Sequence, residues 1–283
     1  MQILLNTIML EVNRWTPDHR LTRPLMDLLD PVREASFDAL ELWQYHISAL
    51  EPDEVERLAQ KLRSLDMRAL ALGAYPAFHL KGTEAAEMEA GLDRLLSYAV
   101  TLGVTTFKIF PGRIASAETD ARTWDCSVRR IAELAAKLAA RGMTLSMETH
   151  GNTLCDTLES VQHLLADLSG MDNVGLCFQP YTDHDTDQAI AAFDAVRSAI
   201  VHIHLQNRRT ADSVTTLLEE GDWIDYARFL RHVRESDFDD LLCIEFTAGI
   251  FPPQGEAFDP QVVIDNAVRD REFVSKIWNV PRS

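Results

Sequence analysis

The sequence of 283 residues is poor in positive charge. It contains 27 Lys and Arg against 44 Asp and Glu, and its formal net charge is −17. A protein that binds nucleic acid or an anionic membrane surface needs a basic face that neutralises phosphates. No clustered basic stretch is visible in the chain, so we expect no nucleic-acid partner.

The sequence also lacks membrane-spanning and secretory segments. No uninterrupted apolar run approaches the roughly 18 residues that a transmembrane helix needs. The apolar start, Met1 to Leu10, has neither a basic region nor a cleavage-site pattern. We therefore expect a cytoplasmic protein with no membrane partner.

Cysteines are few and scattered. Cys126, Cys155, Cys177 and Cys243 form no CxxC pair. This spacing excludes a zinc knuckle and a disulfide framework, and it is typical of buried thiols in a reducing compartment.

What the sequence does contain is an alternation of apolar, strand-like runs with helical patterns. A hydrophobic fraction of 46% is sufficient for a substantial core. The predicted strands are Ile3–Met9, Asp38–Trp43, Arg68–Ala74, Thr105–Phe110, Met143–Glu148, Val174–Phe178, Ile200–Leu205 and Leu241–Phe246. The predicted helices are Leu21–Glu34, Pro52–Leu65, Thr83–Leu102, Thr119–Arg141, Thr157–Leu168, Asp185–Arg197, Trp223–Glu235 and Pro260–Ile277.

Eight strands that alternate with eight helices over about 250 residues predict an α/β protein with a closed (β/α)8 TIM barrel. No low-complexity linker divides the chain, so we predict a single domain over residues 1–283. An open doubly wound sheet is the alternative, but no GxGxxG motif follows the first strand.

Polar side chains follow several of the apolar strands, and the active site of such a barrel lies at these carboxyl ends. Glu148 and His150 end the fifth strand, His204 lies in the seventh and Glu245 in the eighth. Two carboxylates and an imidazole are costly to desolvate together unless a divalent cation binds them, and both groups are ligands of such cations. For any single residue, a structural role in capping a helix or bonding a loop is an equal alternative.

Five motifs follow one another across these strand ends. They are Glu148-Thr149-His150, Val174-Gly175-Leu176-Cys177-Phe178-Gln179, His202-Ile203-His204-Leu205, Gly221-Asp222-Trp223-Ile224-Asp225 and Ile244-Glu245. Their order and spacing resemble the sugar phosphate isomerase/epimerase family, which has a xylose isomerase-like TIM barrel. The resemblance implies that Glu148, His204 and Glu245 occupy three of four metal-ligand positions. It also implies that Glu148 and Glu245 are the paired acid and base.

The fourth ligand position falls on Gln179, where the family has Asp, and Thr182 stands where the family has His. His184 and Asp183 are nearby but out of register. With two carboxylates instead of three, the site is formally neutral around a dication, which weakens hard cations most. We therefore expect Mn2+, with Mg2+, Co2+ or Zn2+ as alternatives.

The sequence is compatible with three functions. The first is a metal-dependent isomerase or epimerase that acts on a keto-sugar or related polyol through an enediolate, with Glu148 and Glu245 on opposite sides of the substrate. The second is a lyase or dehydratase on a keto-sugar, keto-inositol or 3-keto-glycoside, of the C-glycoside-cleaving type, in which His150 serves the leaving group. The third is a non-catalytic sugar-binding barrel, with Gln179 as the sign of a decayed site. A homo-oligomer or an accessory subunit is compatible with all three.

Further residues at the strand ends are candidates for substrate binding. Lys108, Arg208 or Arg209 could hold a distal hydroxyl, carboxylate or phosphate, although for the arginines a solvated loop charge is as good an interpretation. Trp43 could form a platform for a sugar ring, with core packing as the alternative. His184, after the sixth strand, is the remaining candidate.

Overall fold

Eight parallel strands close into a barrel in the computed structural model, which describes residues 1–210 and 213–279. The strands are β1 Gln2–Asn6, β2 Ala39–Trp43, β3 Arg68–Ala74, β4 Thr106–Ile109, β5 Thr144–Glu148, β6 Val174–Phe178, β7 Ile200–Leu205 and β8 Leu241–Ile244. Strand β8 pairs with β1, from Leu241 beside Gln2 to Ile244 beside Leu5, and closes the ring. The predicted barrel is confirmed, and the open sheet is excluded.

Helices surround the strands and bury their apolar faces against them. They are α1 Leu25–Glu34, α2 Gln44–Ser48, α3 Pro52–Ser64, α4 Gly82–Leu102, α5 Ala121–Ala139, α6 Leu158–Asp167, α7 Thr186–Val196, α8 Tyr226–Glu235 and α9 Pro260–Trp278. Local sequence sets their limits: α3 starts at a capping box formed by Glu51 and Glu54, and α4 stops at Gly103, whose φ is 73°. None of the described helices combines the length and the apolar character that crossing a membrane requires.

The first predicted strand and helix are shorter than expected. Strand β1 ends at Asn6, whose side chain accepts a hydrogen bond from the Ile8 amide and starts a 3-10 turn over Thr7–Leu10. Helix α1 begins only at Leu25 because Pro24 disfavours helical backbone in the residue before it. The sequence did not predict the short helix α2 or the two-stranded ribbon of Asn207–Arg208 and Thr215–Thr216.

The Gly-Asp-x-x-Asp motif closes the loop between β7 and α8. The buried Asn207 amide donates hydrogen bonds to the carbonyls of Leu218, Gly221 and Ile224. A Cβ on Gly221 would lie 2.4 Å from Asn207 Cγ, so glycine is required there. Asp225 then caps α8, which therefore begins at Tyr226 and not at Trp223 as predicted.

Inside the barrel, an apolar layer supports a polar one. The apolar layer consists of Leu4, Ala39, Ala71 and Cys243. Because side chains alternate along a strand, the same strands present Glu41, Gly73 and Glu245 two residues later. The four cysteines are free thiols as predicted; Cys155, Cys177 and Cys243 are buried, whereas Cys126 is only half-buried.

Candidate active site

A lysine lies between two carboxylates in the polar layer of the barrel. Lys108 Nζ, on β4, is 2.5 Å from Glu148 Oε2 and 3.7 Å from Glu41 Oε1. The three side chains are between 0% and 1% exposed, so the charges lie entirely within the protein. The ammonium also lies 4.9 Å from the ring centre of Tyr75, whose π face favours a cation. Proximity to the carboxylates outweighs burial and raises the pKa of Lys108, which is therefore charged.

Gly73 provides the space that Lys108 occupies. A Cβ at this position of β3 would lie 2.9 Å from Lys108 Cε and 3.1 Å from Glu41 Oε1. A side chain at position 73 would therefore force the ammonium or the carboxylate to move.

His204 connects the carboxylates of three different strands. Its Nε2 is 2.8 Å from Glu41 Oε2. On the other side of the ring, Nδ1 lies 3.5 Å from Glu148 Oε1 and 3.3 Å from Glu245 Oε1. Because a carboxylate only accepts, Nε2 carries the proton that it donates to Glu41, and in a neutral ring Nδ1 then presents a lone pair.

These donors fit a divalent cation. Glu148 Oε1, His204 Nδ1 and Gln179 Oε1 are all buried, and none has a hydrogen-bond partner within the described part of the chain. The separations of 3.3 and 3.5 Å match the roughly 3.4 Å between neighbouring donors around a tetrahedral ion with bonds of about 2.1 Å. Glu148 and His204 also form, with Cys177, a group whose potential ligand atoms all lie within 4.8 Å of one another.

The charges of the cluster also favour the binding of a divalent cation. Burial raises the pKa of Glu41, but His204, Lys108 and His202 together lower it to about 2. The pKa of Glu148 is likewise lowered, against the effect of burial, chiefly by Lys108. With Glu245, three carboxylates face one ammonium and leave two negative charges, which a single dication would balance. In the protein without a cation, Cys177 and the three carboxylates instead raise the pKa of His204, against the effect of burial.

A second histidine lies one layer deeper. His202 is fully buried, and its Nε2 is 3.2 Å from Glu41 Oε2 without hydrogen-bond geometry. Burial lowers the pKa of His202 to about 3, so its ring is neutral. With Glu41, His204 and Cys243 it completes a further cluster of ligand-type atoms within 4.8 Å. We interpret Glu41 and His202 as the layer that orients His204 from below.

A cavity of about 290 Å3 opens above this cluster at the mouth of the barrel. Glu245 is the carboxylate of the cluster that lines it. The remaining lining residues are Ile8, Arg14, Trp15, His19, Trp43, Tyr45, Tyr75, Phe110, Arg113, His150 and Phe246. The cavity therefore has a carboxylate in its wall, a largely aromatic lining and two guanidinium groups.

The loop after β1 forms one side of the cavity and is fixed from beneath. Glu11, which is 1% exposed, accepts hydrogen bonds from the amides of Asn13 and Thr22. Arg14 donates through all three of its guanidinium nitrogens to the carbonyls of Ile8, Met9 and Ile250. Its guanidinium is therefore committed to the loop and is not free to bind a ligand.

His150 lies at the cavity, above the buried Glu148. Its ring stacks on Phe110 with 4.3 Å between the ring centres. Its Nδ1 is 2.8 Å from the Gly151 carbonyl oxygen, so Nδ1 must carry a proton. In the neutral ring, Nε2 is then the atom that can accept a proton.

The structure separates the other predicted substrate-binding residues. Trp43 lines the cavity, whereas Lys108 is completely buried beside Glu148 and cannot reach a distal group of a substrate. Arg208 donates to Gln206 Oε1, and its guanidinium lies 5.5 Å from the ring centre of Trp223. Arg209 is exposed, and His184 packs beside Tyr181. Neither of these two nor Arg208 is among the residues that line the cavity.

Sequence reasoning gave no role to Glu41, which contacts both Lys108 and His204. A usable signal was present, since Glu41 is a carboxylate within an otherwise apolar strand. It also missed Trp15 and His19, which belong to a loop without periodic pattern.

Comparison with known proteins agrees with this architecture. A 3-dehydroshikimate dehydratase of Bacillus anthracis is 26% identical over 190 residues, which cover 66% of this chain and 67% of that protein. The structure of a D-psicose 3-epimerase with D-tagatose from Clostridium cellulolyticum H10 superposes with a TM-score of 0.75 at 14% identity and covers 98% of this chain and 99% of the other. A xylose isomerase-like TIM barrel protein from Mycobacterium smegmatis, solved in complex with magnesium, superposes with a TM-score of 0.71 at 16% identity and covers 98% and 97%.

The family described as xylose isomerase-like TIM barrel matches residues 29–262. This range contains seven of the eight strands and all the candidate ligands. The chain therefore belongs to the xylose isomerase-like TIM barrel family.

Proposed function

We propose that the protein is a metal-dependent lyase that removes a proton next to a carbonyl and expels a β-hydroxyl group as water. The observation that carries this proposal is the contrast between His150, which offers a free nitrogen to the cavity, and the two glutamates, each of which has one oxygen hydrogen-bonded within the protein and the other turned toward His204. Relatives include both a dehydratase and epimerases, so the family alone does not choose between the two reactions.

The glutamates are poor candidates for a symmetrical acid–base pair. Glu148 Oε2 binds Lys108, and Oε1 faces His204. Glu245 Oε2 accepts a hydrogen bond of 2.9 Å from Gln206 Nε2, and its Oε1 faces the same imidazole. Carboxylates held in this way are suited to binding a cation, and the low pKa of Glu148 makes it a weak base.

Glu148, Gln179, His204 and Glu245 would hold the cation, with Mn2+ as the expected metal. When bound, the cation supplies a Lewis acid that polarises the substrate carbonyl. Lys108 keeps Glu148 ionised, and Glu41 fixes the His204 tautomer. These contacts prepare the ligand atoms before any substrate arrives.

His150 performs both proton transfers in this scheme. Nε2 takes a proton from the carbon next to the carbonyl, and that electron pair forms a carbon–carbon double bond as the bond to the β-hydroxyl breaks. The protonated ring then delivers the same proton to the departing hydroxyl, so that water leaves and neutral His150 is restored. One base on one face of the substrate is sufficient for this elimination, whereas epimerisation needs a second group on the opposite face.

Epimerisation at the same site is the second candidate. Glu148 ends β5 and Glu245 follows β8, strands that lie three places apart in the ring, and Glu245 lines the cavity. An exchange between His150 and Glu245 would reach a substrate from two sides.

Turnover in deuterated water separates the two reactions. The Mn2+-loaded protein is incubated with 3-dehydroshikimate and with D-tagatose, and the products are followed by NMR. Loss of water is expected, and His150→Gln should reduce the rate by about 100- to 10,000-fold without changing the melting temperature. His163→Gln is the matched control, because His163 is 60% exposed on α6 and does not line the cavity. Solvent deuterium in a recovered isomer without loss of water would refute the lyase, and a His150→Gln variant of normal rate would refute the base.

A further inference from the structure

The rings around the mouth of the barrel form a nearly continuous collar. The ring centres of Phe246 and Trp15 lie 5.5 Å apart, and those of His19 and Tyr45 lie 3.9 Å apart. From Tyr45 the contacts continue through Tyr75 at 6.3 Å, Phe110 at 4.8 Å and His150 at 4.3 Å. These residues follow β8, β1, β2, β3, β4 and β5, so the collar covers six of the eight positions in the ring.

Among the described residues that line the cavity, Arg113 is the cation available to a ligand. Arg113 lines the cavity from the loop after β4 and is exposed, and no hydrogen bond or ion pair engages its guanidinium in residues 1–210 and 213–279. His19 lines the same cavity, and its Nδ1 has no hydrogen-bond partner among the residues described. Arg14, the other guanidinium of the cavity, is already bonded to three backbone carbonyls.

The charge distribution across the cavity is therefore asymmetric. Arg113 provides positive charge at the rim, and Glu245 with the buried Glu148 provides negative charge on the side of the metal ligands. Burial and the neighbouring Arg113 lower the pKa of His19, which leaves this ring uncharged near neutral pH. One guanidinium and one neutral imidazole match the single charge of a carboxylate. A phosphate dianion would carry one negative charge more than this pair balances.

We propose that the substrate is a ring compound that carries a carboxylate, with the ring inside the aromatic collar and the carboxylate on Arg113 and His19. The proposal rests on the proposed function, whose reacting carbonyl it places at the opposite end of the ring from the carboxylate. Aromatic side chains bind the faces and edges of a ring at little entropic cost, and a charged hydrogen bond fixes which end enters the site. An open-chain, uncharged keto-sugar would use neither feature.

Equilibrium binding tests this proposal without turnover. Calorimetry with the Mn2+-loaded protein compares 3-hydroxybenzoate with its methyl ester, which has the same ring but no charge. The acid is expected to bind about tenfold more tightly than the ester, as a charged hydrogen bond at a partly exposed site allows. In Arg113→Ala this ratio should fall to about one, because the acid loses affinity and the ester does not. Arg63→Ala, an exposed arginine on α3, is the matched control and should keep the ratio.

Trp15→Ala tests the collar separately and should weaken both probes by a similar factor. Equal affinity of acid and ester for the unmodified protein would refute the carboxylate site, as would a ratio that survives Arg113→Ala. Failure of both ring probes to bind, tighter binding of phenyl phosphate than of the acid, or tighter binding of D-fructose than of either probe would refute the substrate class. These outcomes do not depend on His150, so the proposed elimination and the proposed substrate class can be refuted independently of each other.

Discussion

Replacement of Lys108 by methionine tests whether the buried ammonium holds the site together. At an effective dielectric constant of about 20, its attraction to Glu148 at 2.5 Å is about 7 kcal/mol and to Glu41 at 3.7 Å about 4 kcal/mol. The cost of desolvating the three charges offsets most of this attraction. Because Lys108→Met leaves two carboxylates buried without their cation, we expect it to reduce the free energy of unfolding by about 3–5 kcal/mol.

Urea unfolding in EDTA measures this loss, and the chain offers a matched control. Lys61 Nζ lies 2.7 Å from Asp30 Oδ2, a comparable distance, but this pair is at the surface, with side chains 29% and 52% exposed. Lys61→Met should therefore cost at most about 1 kcal/mol. In the double variant Lys108→Met/Glu148→Gln, part of the loss should return because one of the uncompensated charges is also gone. If Lys108→Met is no more destabilising than Lys61→Met, the buried ion pair does not stabilise the fold as described.

Two further predictions concern other parts of the molecule. Gln179→Asp should tighten Mn2+ binding by roughly tenfold in calorimetry, because a carboxylate replaces an amide oxygen. The exposed Gln60→Asp on α3 should not, and an unchanged affinity in Gln179→Asp would show that position 179 is not a ligand. Asp270 is buried, and burial raises its pKa from 3.8 to about 7, although it accepts hydrogen bonds from Leu218 and Thr247. The stabilisation by its proton is complete below about pH 4 and is lost as the pH rises through about 7, so Asp270→Asn should gain up to about 4 kcal/mol relative to the unmodified protein over that window. A difference between the two unfolding free energies that does not change with pH would contradict this assignment.

The fold could be predicted almost completely because it depends on patterns that are local in the sequence. Each strand is an apolar run, and each helix has its own start or stop signal, such as Pro52 or Gly103. The errors at Asn6 and Pro24 arose where a single cap or proline overrode an apolar pattern. The ligand-type residues Glu148, His204 and Glu245 could be predicted for the same reason, since each lies at or near the carboxyl end of an apolar strand.

The partners of these residues could not be predicted, because they depend on which side chains meet across the barrel. Lys108 and Glu148 are 40 residues apart, and His204 and Glu41 are 163 residues apart. A lysine at a strand end looked available to a substrate, and only the packing shows that it is buried. The aromatic collar was equally hidden, since Trp15 and His19 lie in a loop whose conformation depends on hydrogen bonds from Arg14 and to Glu11.

The absence of a side chain at position 73 on β3 makes the residue at this position depend on the residue at position 108 on β4. An alanine there would put an atom 2.9 Å from Lys108 Cε and 3.1 Å from Glu41 Oε1, so a lysine at 108 and a larger residue at 73 cannot coexist unless the ammonium or the carboxylate moves. The two positions should consequently vary together among related chains, with glycine accompanying the lysine and a bulkier residue accompanying a shorter side chain at 108. This pair of positions would divide related chains into two groups. In one group a buried lysine binds the carboxylate at the end of the fifth strand, and in the other only the metal binds it.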